Sequence, residues 1–125
     1  ALGIKKAGFS SPYLGEINDQ AVAFLASEGV EIIHRADIGR ALSNYGQGEL
    51  TPQEVYELAL RANTPEAEAI ILSCTDMRAV EVIERLEAAI DKPVVTSNQA
   101  MMFCLMKALA LPRHDGLPGR LFDRM

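Results

Sequence analysis

The sequence predicts an α/β fold: a parallel sheet of about four strands, in the order 2-1-3-4, with helices on its faces. Short apolar, β-branched runs alternate along the chain with stretches of helical periodicity. That alternation calls for parallel strands joined by right-handed crossovers. Three strand ends are polar, at residues 10–13, 73–76 and 96–98. In open sheets of this kind ligands bind beyond the carboxyl ends of the strands, where the strand order reverses. With the order 2-1-3-4 the first and third strands are neighbours, so Tyr13 and Cys74 face one crevice.

Each element has its own signal. Residues 6–11 form a short strand that stops at Pro12, and residues 16–29 carry helical spacing through Ile17, Val22, Phe24 and Leu25, with Gly29 as the stop. Residues 30–33 read as a β-branched strand. Residues 36–50 hold Gly39, Gly46 and Gly48 beside Ser43, Asn44 and Gln47, a composition that predicts mostly loop with one short helical turn. Thr51 and Pro52 supply an N-cap and a first-position proline for a helix over 52–62. The run 69–72 reads as a buried strand, residues 73–76 as a polar break, and 78–90 as a helix. A last strand at 94–96, a polar break at 97–99 and an apolar helix through Met101, Met102, Leu105, Met106 and Leu109 complete the domain, residues 1–111. Residues 112–125 are a tail rich in proline and glycine that ends in the apolar pair Leu121 and Phe122, expected to pack on another polypeptide.

Bulk composition narrows the function. With 125 residues and 49% hydrophobic content the chain can bury one ordinary core. No apolar run reaches the length of a membrane span and the amino end lacks a signal-peptide stretch, so a cytoplasmic protein with no membrane partner is expected. A net charge of −5 and a pI of about 5.0, without a basic patch, argue against nucleic acid as a partner. Cys74 and Cys104 read as free thiols.

Among candidate residues Cys74 stands first. A cysteine where a buried strand stops and a helix begins is expected near unpaired backbone N–H groups and the positive helix end, which stabilise a thiolate or a bound carboxylate. Cys104, inside an apolar helical run, is expected to be a small buried hydrophobe. Thr75, Asp76, Ser97 and Asn98 all fit helix caps, a role compatible with ligand binding. Arg78 in a first helical turn opposes the dipole and would suit an anion, although a solvated side chain is the simpler reading. His34 and His114 lack partners at metal-ligand spacing, so no metal is expected.

Five motifs in order then acquire a common meaning: Ser11-Pro12-Tyr13 with Glu16-Ile17-Asn18; Asn44 ahead of Leu50-Thr51-Pro52-Gln53-Glu54; Ser73-Cys74-Thr75-Asp76-Met77-Arg78; Lys92-Pro93-Val94-Val95-Thr96-Ser97-Asn98-Gln99-Ala100; and Gly119-Arg120-Leu121-Phe122. They resemble the maleate cis-trans isomerase and arylmalonate decarboxylase branch of the aspartate/glutamate racemase superfamily. Members of that superfamily have two similar α/β halves with the active site between them, and this chain resembles the second half alone, a flavodoxin-like half of an Asp/Glu racemase-type fold.

The resemblance implies a catalytic Cys74 that gives or takes a proton at substrate carbon. Tyr13 would hydrogen-bond a substrate carboxylate, Asn44 would contact substrate, and the Thr75 amide would help hold the same anion. It implies no cofactor and no metal. Asp76 stands where relatives often have Asn or Gly. The expected function is cofactor-independent cis-trans isomerisation of a small dicarboxylate, of the maleate to fumarate type. The alternatives are an arylmalonate-type decarboxylase, an Asp/Glu-type racemase, or a non-catalytic ligand-binding or dimerisation domain. Expected partners are the dicarboxylate and either the first half of the same protein or a second copy in a homo-oligomer.

Overall fold

A computed structural model describes residues 1–125. Four parallel strands, β1 (Lys6–Ser11), β2 (Glu31–Asp37), β3 (Ala69–Leu72) and β4 (Val94–Thr96), form one sheet in the order β2-β1-β3-β4, as the sequence predicts. Five helices connect or flank them: α1 (Gly15–Ser27), α2 (Asn44–Glu49), α3 (Pro52–Ala62), α4 (Ile83–Ile90) and α5 (Ser97–Ala108). Short 3-10 turns occupy Val80–Val82 and Phe122–Arg124. No helix is long and apolar enough to cross a membrane.

β1 lies between β2 and β3, and every residue from Ala7 to Ser11 is buried. Gly8 permits the approach of α3: a Cβ there would sit 2.0 Å from the Ala62 carbonyl oxygen. Ile70, Leu72 and Val94 meet Val55, Leu58, Ala59 and Ala62 of α3 and Ile83 and Leu86 of α4 in the main core. The capping box of α3 forms as its sequence requires, with Thr51 N–H donating to Glu54 Oε2 at 2.8 Å and Glu54 N–H to Thr51 Oγ1 at 3.2 Å. Phe9, Ile71 and Val95 line the opposite side, in an apolar groove flanked by Ala21, Phe24 and Leu25 of α1 and Ala100 of α5.

Four local expectations are corrected. β2 runs on through His34 to Asp37, because Ser10 and Ser11 of β1 supply ladder partners at Ala36 and Asp37. The one short helical turn expected in the glycine-bearing stretch after it extends to a helix of 6 residues, α2, which Ser43 caps by accepting from Gly46 N–H at 3.1 Å. Cys104 is exposed, not buried, because α5 turns only Phe103 and Met106, with Gln99 near its start, fully inward. Leu121 and Phe122, expected against another polypeptide, pack on this chain's own Phe103 and Met106, with Leu2, Val95 and Leu117 around them.

Polar contacts hold that tail in place. Arg120 N–H donates to both carboxylate oxygens of buried Glu87, at 3.1 and 3.0 Å, and Glu87 Oε1 also accepts from Val94 N–H at 2.9 Å. Gln99 Nε2 donates to the Pro118 carbonyl at 2.8 Å. Gly119 has φ +86°, and an added Cβ would meet Gln99 Nε2 and Ile83 Cγ2 at 2.6 Å, so only glycine fits the turn.

Phe122 is 2% exposed whereas Phe24 is 63% exposed. Phe122→Ala should therefore lose about 3–5 kcal/mol of stability, the cost of emptying a buried phenylalanine site. Phe24→Ala should stay within about 0.5 kcal/mol. Urea unfolding of the two variants checks the contrast, and equal losses would contradict the packing described.

Candidate active site

The turn after β3 is positioned by the sheet below it and by α5 beside it. Ser73 N–H continues the ladder by donating to the Ser10 carbonyl at 3.0 Å. Cys74 then takes φ +153°, a value that L-residues rarely adopt and that persists only where the surroundings impose it. Here its N–H donates to Ser97 Oγ at 3.1 Å, and the next carbonyl, of Thr75, accepts from Asn98 Nδ2 at 3.0 Å. Ser97 and Asn98 are free for this because neither caps α5. Thr96 does so, accepting from Gln99 N–H at 3.1 Å while Gln99 Oε1 accepts from Thr96 N–H at 3.3 Å.

The helix expected from residue 78 begins later than its pattern suggests. Residues 75–77 form a bend, Val80–Val82 a 3-10 segment, and α4 proper starts at Ile83. Thr75 and Asp76 therefore cap nothing, and Cys74 does not stand at the start of α4. Instead the backbone N–H groups of Thr75, Asp76 and Met77 donate to no acceptor in the chain, leaving a short row of unpaired donors beside the thiol. Arg78 is committed elsewhere, its guanidinium bonded to both oxygens of Glu81 at 2.7 and 2.9 Å.

Tyr13 comes from the turn after β1 and reaches the same place. Its hydroxyl pKa is pushed up to about 12, by burial first, then by a hydrogen bond with Cys74 and by the charges of Cys74 and Asp76. The phenol thus stays a neutral donor beside the sulfur. Asn18, fully buried, fixes this turn: its Nδ2 donates to Asp37 Oδ1 at 2.8 Å and to the Tyr13 carbonyl at 3.4 Å, and its Oδ1 accepts from Ser11 Oγ. Tyr13 N–H in turn donates to Ser11 Oγ at 3.1 Å.

The third wall is α2. Asn44 lies in its first turn, exposed, with a side chain bonded to nothing in the chain. Gln47, three residues on and so on the same helical face, is buried with Oε1 3.5 Å from Cys74 Sγ. A Cβ on Gly48 would lie 3.5 Å from the Asp76 carbonyl, which shows how closely α2 sits against the cysteine turn. Sequence reasoning did not single out Gln47; its spacing from Asn44 was the available signal. The structure brings Tyr13, Cys74 and Thr75 together and leaves Asn44 at the rim.

No three His, Cys, Asp or Glu side chains converge as a metal set. The largest surface depression, lined by Ile38, Arg40, Glu54, Glu57, Leu60 and Arg61, lies beside α3 and contains none of these residues. Its charged lining is partly self-paired, Arg40 with Glu54 at 3.9 Å, so it has the character of a surface furrow.

A thiol and a phenol meeting at neighbouring strand ends, with free main-chain donors beside them, define an α/β protein of the kind that places its chemistry at a sheet's switch point. Within that class the chain belongs to the arylmalonate decarboxylase family, whose model matches residues 1–122. It is 27% identical to the maleate isomerase of Alcaligenes faecalis over 87% of this chain and 43% of that protein. It is 26% identical to the arylmalonate decarboxylase of Bordetella bronchiseptica over 98% of this chain and 52% of that protein. In structure it resembles a cysteine-to-serine mutant of Nocardia farcinica maleate cis-trans isomerase that carries a covalently bound succinylcysteine intermediate, with a TM-score of 0.91 at 22% identity, over 99% of this chain and 51% of that one. The chain spans about half the length of the relatives it matches.

The coupling between phenol and thiol is testable by ultraviolet titration of tyrosinate. Tyr13→Phe should remove the step whose midpoint lies near pH 12. Cys74→Ala should move that step down, since a hydrogen-bond partner and a negative charge are lost, but leave it above 10 because burial persists. An unchanged step in Cys74→Ala would separate the two groups.

Proposed function

We propose that this chain is the second half of a cofactor-independent enzyme acting on a small dicarboxylate, with cis-trans isomerisation of the maleate to fumarate type as its reaction. The observation that carries this reading is the meeting of Cys74 with the Tyr13 hydroxyl next to the unpaired N–H groups of Thr75 and Asp76. A carboxylate seated on those N–H groups and on Tyr13 would set its neighbouring carbon beside Cys74 Sγ. Asn44, at the rim with its side chain unengaged, is available to the far end of the substrate.

The chemistry divides between two halves. A thiolate from the opposite half, either of the same polypeptide or of a second copy in a homo-oligomer, adds to one alkene carbon. The electron pair of the double bond moves to the other carbon, and Cys74 S–H delivers its proton there, so that one C–S and one C–H bond form. The carbon–carbon bond is now single and rotates. Cys74, now a thiolate, takes the proton back, the double bond reforms in the trans geometry and the C–S bond breaks. The succinylcysteine of the Nocardia farcinica enzyme supports a covalent adduct of this kind, because a succinyl group is maleate after both the sulfur and a proton have been added.

The family model favours a second reading in which the same Cys74 serves decarboxylation of an arylmalonate. There carbon dioxide leaves, the bonding pair stays on carbon as an enolate, and Cys74 protonates that carbon before being reprotonated by water. Either reaction makes Cys74 the group that moves the proton.

Cys74→Ala in the complete protein should cut turnover about 100- to 10,000-fold, the range for loss of a positioned general acid. Full turnover on maleate and on an arylmalonate would end both readings. Tyr13→Phe should chiefly raise KM, since the lost hydrogen bond is made to a carboxylate that keeps its charge throughout.

A further inference from the structure

We propose that Gln47 is the positioning residue that holds Cys74 in its S–H form, making it a proton donor rather than a nucleophile. The inference rests on the reading of Cys74 as the proton-handling group and adds how the fold selects that role. Both side chains are buried, Cys74 at 3% and Gln47 at 5% exposure, with Oε1 and Sγ 3.5 Å apart. A carbonyl oxygen can only accept, so the contact is made by the S–H form and is repulsive for the thiolate.

The amide is turned this way by its other end, for Gln47 Nε2 points at the Leu42 carbonyl at 3.5 Å. To offer Nε2 to a thiolate, the amide would have to turn Oε1 toward Leu42, bringing two acceptors face to face. The unpaired N–H groups of the cysteine turn would favour a thiolate, and the proposed reading gives them to the substrate carboxylate instead. Asp76, two residues along the chain, brings a negative charge that acts on Tyr13, and the Tyr13 hydroxyl can donate to sulfur or accept from it. No cationic side chain bonds to Cys74. A nucleophilic cysteine is activated by the opposite surroundings, a cation or an adjacent base.

The test uses the complete protein with Cys104→Ser and with any thiol of the opposite half replaced by serine, so that Cys74 is the thiol read out. Gln47→Met keeps the length of the side chain and removes its carbonyl; Gln47→Glu keeps an acceptor and adds charge. The infrared S–H stretch should move to higher wavenumber in Gln47→Met. Alkylation by iodoacetamide at neutral pH should become about three- to tenfold faster in Gln47→Met, the loss of one hydrogen bond. It should become about tenfold or more slower in Gln47→Glu, the effect of a like charge on thiolate formation.

An S–H band that stays in place, or alkylation rates that move in the same direction in both variants, would overturn the assignment. If Gln47→Met does not fold, Gln47→Glu alone decides, since an unchanged or faster rate there contradicts it. Because neither readout involves turnover, failure here is distinct from failure of the proposed reaction, which the Cys74→Ala assay reports.

Discussion

The hydrogen bond from Cys74 N–H to Ser97 Oγ is the constraint on which the site depends, because it fastens a backbone turn that has no means of holding itself. With φ +153° at Cys74 and no helix starting behind it, residues 74–78 are free of the regular bonding that fixes a typical strand-to-helix junction. α5 supplies the missing bonds from outside, through Ser97 and Asn98. Those two can serve because Thr96 and Gln99 already satisfy the helix start. Gln99 in turn is fixed at its far end by the Pro118 carbonyl of the tail. The path from tail to cysteine therefore runs through four consecutive residues, and α5 acts as the brace of the cysteine turn as well as a cover for the sheet.

The parts of this arrangement that were legible in the sequence are those set by local chemistry. Strand 69–72, the capped helix at Pro52 and the pairing of the first and third strands follow from apolar runs, cap residues and the rules of parallel connection, and the structure contains all of them. Tyr13 and Cys74 were legible as neighbours for the same reason, since the order 2-1-3-4 allows little else. What was not legible depended on partners distant in sequence. His34–Asp37 carries few strand formers and is strand because β1 offers it a ladder. Asn44–Glu49 is helical despite two glycines, held by the Ser43 cap and by burial of Gln47 against Cys74. The helix pattern from Arg78 is delayed where Ala79 N–H bonds the Met77 carbonyl, two residues back, in place of a helical acceptor.

The tail shows the same limit from the energetic side. Two apolar residues in a proline- and glycine-rich end cannot by themselves offset the entropy of ordering it, and on that ground they were expected to need another chain. Glu87 changes the balance. A buried carboxylate without partners is costly, and it meets that demand with the N–H groups of Val94 and Arg120, which draws the tail onto the domain. Arg120 adds an exposed ion pair with Asp91 at 2.6 Å, a minor contribution beside the buried one. Once the tail is seated, Phe122 completes a cluster with Phe103, their ring centroids 6.1 Å apart.

The remaining imbalance is on the side of α1 and α5. Parallel sheets are ordinarily covered on both faces, yet here Phe24 is 63% exposed, Met101 54% and Leu105 50%, on the two helices that flank the open apolar groove. Full burial of each such side chain is worth about 1.5–3 kcal/mol, so several together represent a large unmet driving force for association. The chemistry proposed for Cys74 makes an independent demand, because a proton delivered to a carbanion must be kept from competing water. This domain presents its thiol, phenol and amide donors from one side and leaves Asn44 at an open rim. A second α/β half set against it would meet both demands, covering apolar surface and closing the site. That is the physical reason for reading a chain of half the relatives' length as half of an active site.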